Sequence, residues 1–192
     1  MGAFHVRVYK AFYPGEVAGM VLVDPMHEDM TIEIHNHIEL FRPAVVFLFQ
    51  TLATFGWWRL SAPAPGPSPR GLTTREWATI TALKWQPKSV AAQPKEPPLW
   101  VNGELARASG DFGDMPLIVL SAGKPGGNED PKLEDPQRKH ELHAQLARRS
   151  TRGKQVVVEN SDHQIPYEAP GAVVDAVREV VEDARQDRAV RR

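Results

Sequence analysis

Cysteine is absent from the 192 residues, which excludes disulfides and thiolate metal sites and makes a reducing, cytoplasmic setting the expectation. An excess of charge is absent too. Lys and Arg number 23 against 24 Asp and Glu, a net charge of −1, so nothing electrostatic draws the chain to nucleic acid. The basic end from Arg185 to Arg192 is interleaved with Asp187 and preceded by Glu182 and Asp183, the pattern of a solvated helix terminus. No charged segment followed by an apolar one opens the sequence, so no leader is expected.

Long apolar runs are also missing. The strongest one, residues 43–60, is interrupted by Gln50, Thr51 and Thr54 and bracketed by Arg42 and Arg59. It falls short of the roughly 20 apolar residues a membrane span requires. Metal-binding spacing is lacking: His35 and His37, two apart, do not face each other on a helix, and His27 has no H-E-x-x-H partner. Gly126-Gly127 lacks the strand and lysine of a phosphate loop. Neither metal nor cofactor is expected.

Proline, by contrast, is abundant, with 17 residues in two clusters. Pro63, Pro65, Pro67 and Pro69 fix φ and remove amide donors, which predicts an extended linker over 61–70. Around these clusters the hydrophobic periodicity changes twice. Residues 3–13 carry Phe4, Val6, Val8, Tyr9 and Phe12 at helical spacing, stopped by Pro14-Gly15. Val17 to Val23 is apolar on both faces, as a parallel strand covered on two sides would be. Helical stretches then follow near 27–42, 43–60 and 73–92 without a strand. Strand signals return at Leu117–Leu120 and Gln155–Glu159, with helices over 136–149 and from Pro170 onward.

Strands alternating with helices predict a parallel sheet of three strands. The first strand would lack one neighbour, leaving an apolar edge through which the chain would self-associate. Residues 43–60 read as a helix lining an acyl-sized pocket. The alternative is interfacial lipid contact through Trp57 and Trp58.

Three pieces carry a family resemblance: Tyr13-Pro14-Gly15-Glu16-Val17-Ala18-Gly19-Met20-Val21-Leu22-Val23-Asp24-Pro25, Pro116-Leu117-Ile118-Val119-Leu120, and Ser161-Asp162-His163-Gln164-Ile165-Pro166. In this order, with a cap-sized insertion between the first and second, they resemble the C-terminal half of a capped α/β-hydrolase. The resemblance implies a partial α/β-hydrolase fold: three parallel strands flanked by helices, with a core of residues 1–26 and 101–192 and a helical cap of 27–100.

That family hydrolyses ester-like substrates by a serine, a histidine base and an orienting carboxylate, in the chain order serine, acid, histidine. His163 matches the histidine. The acid stays open between Asp24, at the end of the first strand, and Glu129 or Asp130, beyond Gly123. Gly2 would be the last glycine of a G-x-S-x-G turn, which places the serine one position upstream of Met1. The expectation is a chain that is inactive alone, acting in the family on a small hydrophobic acyl substrate. Its alternative is a non-catalytic module that binds through the sheet edge and the apolar cap.

Overall fold

The computed structural model describes residues 2–30, 42–61, 66–68, 71–92, 99–124 and 135–190. The chain divides into two compact units, residues 1–33 with 99–192, and residues 34–98.

The first unit is α/β. Strands β1 (Met20–Val23), β2 (Leu117–Ala122) and β3 (Gly153–Val158) pair in parallel in the order β1-β2-β3, with Met20 opposite Leu117 and Leu117 opposite Gly153. All six residues of central β2 are buried, which is why it reads as an unbroken apolar run. The two-residue pleat sorts the side chains. Met20, Leu22, Leu117 and Val119 join Leu146 of helix α7 (Pro136–Ala147) on one face. Ile118, Leu120 and Ala122 meet Ile165 and Val180 on the other, from α8 (Ile165–Glu168) and α9 (Pro170–Val190).

Helix α1 (Gly2–Phe12) begins the unit and buries Phe4 and Arg7. The first strand is shorter than its apolar run suggests. A turn at Tyr13–Glu16, closed by the Glu16 amide on the Tyr13 carbonyl, holds Val17 against the core without strand pairing. Helix α6 (Leu99–Ala108), which the sequence reading did not anticipate, packs on α1 and on a short 3-10 turn at Glu28–Met30. The helical stretch expected near 27–42 is that turn at its start and α2 at its end; residues 31–41 lie outside the described residues.

The second unit contains α2 (Arg42–Thr54), α3 (Trp57–Ser61), α4 (Thr74–Lys84) and α5 (Pro87–Ala92). Two expected long helices are each broken. Gly56, at φ +73°, separates α2 from α3, and Pro87 starts α5 after Trp85-Gln86. Thr73 and Glu76 form a reciprocal capping box at the start of α4. The aromatic centre is Phe49 against Trp58, with centroids 4.7 Å apart, and Trp58 stacked on Trp85 at 5.4 Å.

A buried ion cluster ties the first unit together. Arg7 forks onto both oxygens of Glu28, at 2.7 and 3.0 Å, and donates to the Ala106 carbonyl at 2.9 Å. Arg149, just past α7, reaches the same Glu28 carboxylate. Burial alone would push the Glu28 pKa up, but the Arg7 hydrogen bonds and charge outweigh it and bring it down to about 2. A carboxylate depressed on folding contributes its stability above its unfolded value, near 4.5, and loses it as pH falls toward 2. Arg7→Met removes the fork onto Glu28 and is expected to cost about 3–5 kcal/mol in urea denaturation at pH 7. A loss below about 0.5 kcal/mol would show that the cluster does not tie the unit together.

Candidate functional site

Asp24 and His163 both lie at the carboxyl ends of the parallel strands, where α/β sheets bind ligands. Asp24 follows β1 directly and adopts φ +41°, the left-handed region that Asp tolerates better than most residues. This turn, with Pro25 next, ends the strand and swings the carboxylate back over the sheet. There Oδ1 accepts the Ala122 amide at 3.0 Å.

His163 follows β3 by five residues and reaches Asp24 by a different device. The ends of β2 and β3 stay zipped together: the Gly123 amide donates to Val158 and the Lys124 amide to Ser161, both at 3.0 Å. A Cβ at Gly123 would sit 2.5 Å from the Glu159 Cα, so only glycine permits this approach. Asp162 then turns away from its neighbour, its Oδ1 accepting the Gln164 amide at 2.7 Å. His163 is left pointing at β1, with Nδ1 2.7 Å from Asp24 Oδ2. The imidazole is about half exposed and the carboxylate buried.

The structure therefore brings together His163 and Asp24. Glu129 and Asp130 lie outside the described residues, as do His35 and His37. His27 is buried, its Nδ1 accepting the Asp29 amide at 3.1 Å, and burial lowers its pKa. Among the described residues no group of three His, Asp or Glu is placed to hold a metal.

Helix α7 supplies what the sequence reading missed. Lys139 Nζ lies 2.9 Å from Asp24 Oδ2, sharing that oxygen with His163. His140 Nε2 donates to the Ala122 carbonyl at 2.8 Å, and His143 Nε2 to the Pro25 carbonyl at 2.7 Å. One turn of helix thus grips the Asp24 carboxylate, the residue after it and the strand residue that binds it. A signal was present: positions 139, 142, 143, 146 and 147 share the buried stripe of α7, so a lysine and a histidine sit where apolar residues belong. Burial raises the Asp24 pKa, yet hydrogen bonds from His163, Ala122 and Lys139 overcome it and hold the group well below the carboxylate range.

Beside this group opens a cleft of about 480 Å³, lined by Asp24, His163 and Lys139 together with Gly2, Ala3 and Val6 of α1. The first amides of α1 have no partner within their own helix and carry the positive end of its dipole, so the cleft suits an anionic or electron-rich group. Among the described residues no serine lines it. Ser121, beneath the site, is fully buried and donates to His143 Nδ1 at 2.8 Å.

Comparison with known proteins returned no matching family model, no matching curated protein and no matching solved structure.

Burial pushes the His143 pKa down from 6.5 to about 4, so the ring is neutral in the fold. A histidine depressed on folding contributes its stability above its unfolded value and loses it as pH falls. The unfolding free energy from urea denaturation is therefore expected to drop between pH 6.5 and 4, by at most about 3 kcal/mol. His143→Gln should flatten that part of the profile, and an unchanged slope in the variant would count against the assignment.

Proposed function

We propose that this chain carries the base and acid of a serine-type α/β-hydrolase acting on ester-like or related acyl substrates. The observation behind the proposal is the 2.7 Å contact between His163 Nδ1 and Asp24 Oδ2 at the carboxyl ends of a parallel sheet. With Nδ1–H held by an ionised carboxylate, the ring takes up a proton at Nε2, and the carboxylate stabilises the imidazolium that results. In this scheme His163 is the general base, Asp24 its orienter and Lys139 a second cation that keeps Asp24 ionised. The start of α1 shares the cleft with His163. A serine just ahead of that helix would lie near the base, and the helix amides would face the developing oxyanion. The absence of cysteine fits action in the reducing cytoplasm.

The test supplies the nucleophile. A variant with Gly-Xaa-Ser added ahead of Met1 is treated with an aryl fluorophosphonate and followed by mass spectrometry. The added serine is expected to label roughly 100-fold faster than in the same variant carrying His163→Ala, with Asp24→Asn intermediate. The unextended chain is expected to turn over a short aryl ester no faster than its His163→Ala form. Equal labelling with and without His163 would sink the assignment.

One observation favours a second proposal, a non-catalytic module that associates through its sheet. β1 pairs with β2 through Met20, Leu22 and Asp24, as the bonds from Met20 N to Pro116 O and from Asp24 N to Leu120 O fix the register. Val21 and Val23 therefore turn their amides and carbonyls to the outer edge. Among the described residues nothing bonds to these groups. Pairing of this edge with that of a second copy predicts a dimer by light scattering. Val21→Pro, which deletes an outward amide and spares the β1–β2 ladder, should dissociate it. A monomer at all concentrations would dispose of the idea.

A further inference from the structure

In the second unit Trp58 packs on Phe49 and stacks on Trp85, and Ala53 of α2 is buried. Helices α2 and α3 and the turn between them expose Phe47, Leu48, Phe55, Trp57 and Leu60 by between 54% and 86%. Phe47, Leu48 and Thr51 follow at i, i+1 and i+4, so they share the side of α2 opposite Ala53, and Phe55 comes just past the helix end. Phe55 and Leu60, the two most exposed large apolar side chains among the described residues, flank the turn at Gly56. The hairpin thus ends in an apolar tip, and monomeric proteins rarely leave such a patch in water.

Charge selects among the surfaces that would cover it. Residues 34–98 hold seven Lys and Arg against three Glu, a net charge of +4. The whole chain carries −1, so the remainder carries −5. The positive charge is concentrated in the unit that exposes the apolar tip. Exposed aromatic and aliphatic side chains on short helices, in a unit of net positive charge, match the interface of an anionic bilayer. No helix among the described residues is long and apolar enough to cross a membrane, so the contact is with one leaflet.

We propose that the α2–α3 hairpin is a membrane-surface anchor, inserting Phe55, Trp57 and Leu60 at the headgroup boundary of a bilayer rich in anionic phospholipid. This role is independent of the hydrolase assignment and survives His163→Ala.

Sedimentation of the full chain with vesicles tests it, using phosphatidylcholine alone and phosphatidylcholine mixed with phosphatidylglycerol. Partitioning onto the mixed vesicles is expected to exceed that onto the neutral ones roughly ten-fold and to fall as salt is raised. The triple substitution Phe55→Ser, Trp57→Ser, Leu60→Ser should reduce it by about ten-fold or more. Circular dichroism should be unchanged, because all three side chains are exposed. The single substitution Leu60→Ser, at the most exposed of the three positions, should give a smaller loss in the same direction. Three results would overturn the proposal: no association with the mixed vesicles, association that the triple substitution leaves intact, or a vesicle-free oligomer that the triple substitution dissolves.

Discussion

A carboxylate buried at the end of a β-strand must be surrounded by donors, and the first unit is arranged around that requirement at Asp24. Removing an ion from water costs several kcal/mol even after the protein relaxes. Asp24 recovers this from three directions: the Ala122 amide of β2, Lys139 of α7 and the His163 ring beyond β3. Those donors come from three separate elements, so the charge is satisfied only when β1, β2, α7 and the loop after β3 are all in place. The left-handed backbone at Asp24 adds local strain of about 1–2 kcal/mol, which the same contacts hold in place. A second buried carboxylate, Glu28, does the same work a few residues on, joining α1, α6 and the end of α7 through Arg7 and Arg149.

The two outer strands meet solvent in different ways. β3 is lined by charge: Lys154 pairs with Glu179 of α9, and Arg152, just before the strand, pairs with Asp183 and Asp187. Such charges blunt an edge against further pairing. β1 has the sequence Met-Val-Leu-Val and turns the backbone groups of Val21 and Val23 outward with no charged side chain in the strand. Its edge also lines the cleft that holds Asp24 and His163. The apolar edge and the candidate site are therefore one surface, and whatever covers the edge also changes access to the histidine.

Much of this architecture was legible in the residues. The unbroken apolar run at Leu117–Leu120 announced a strand buried on both faces, and the valines of 173–180 announced a helix packed on a sheet. Strand and helix ends were less legible. Val17 to Gly19 are apolar enough for a strand, yet they form none because the turn from Tyr13 reaches β1 only at Met20. Residues 43–60 look like one helix until Gly56 takes a positive φ, after which Trp58 packs on Phe49, donates to its carbonyl and stacks on Trp85. Leu99–Ala108 sat behind a proline cluster that obscured its helical spacing, and its place on α1 depends on Arg7 finding the Ala106 carbonyl.

The division is similar at the candidate site. The chain by itself determined the residue types and their order, an acid after the first strand and a histidine after the third, since strand ends are readable from local hydrophobicity. It left three acids open for a single histidine, because partners 139 residues apart share no local pattern. Only the tertiary structure put Asp24 against His163, by stacking parallel strands so that their carboxyl ends converge. It also placed Lys139, His140 and His143 beneath them, where a helix that reads as charged and amphipathic turns polar groups inward beside its leucines. Local sequence records which side chains prefer burial, but the partner that makes a buried charge tolerable is chosen by the packing of distant elements.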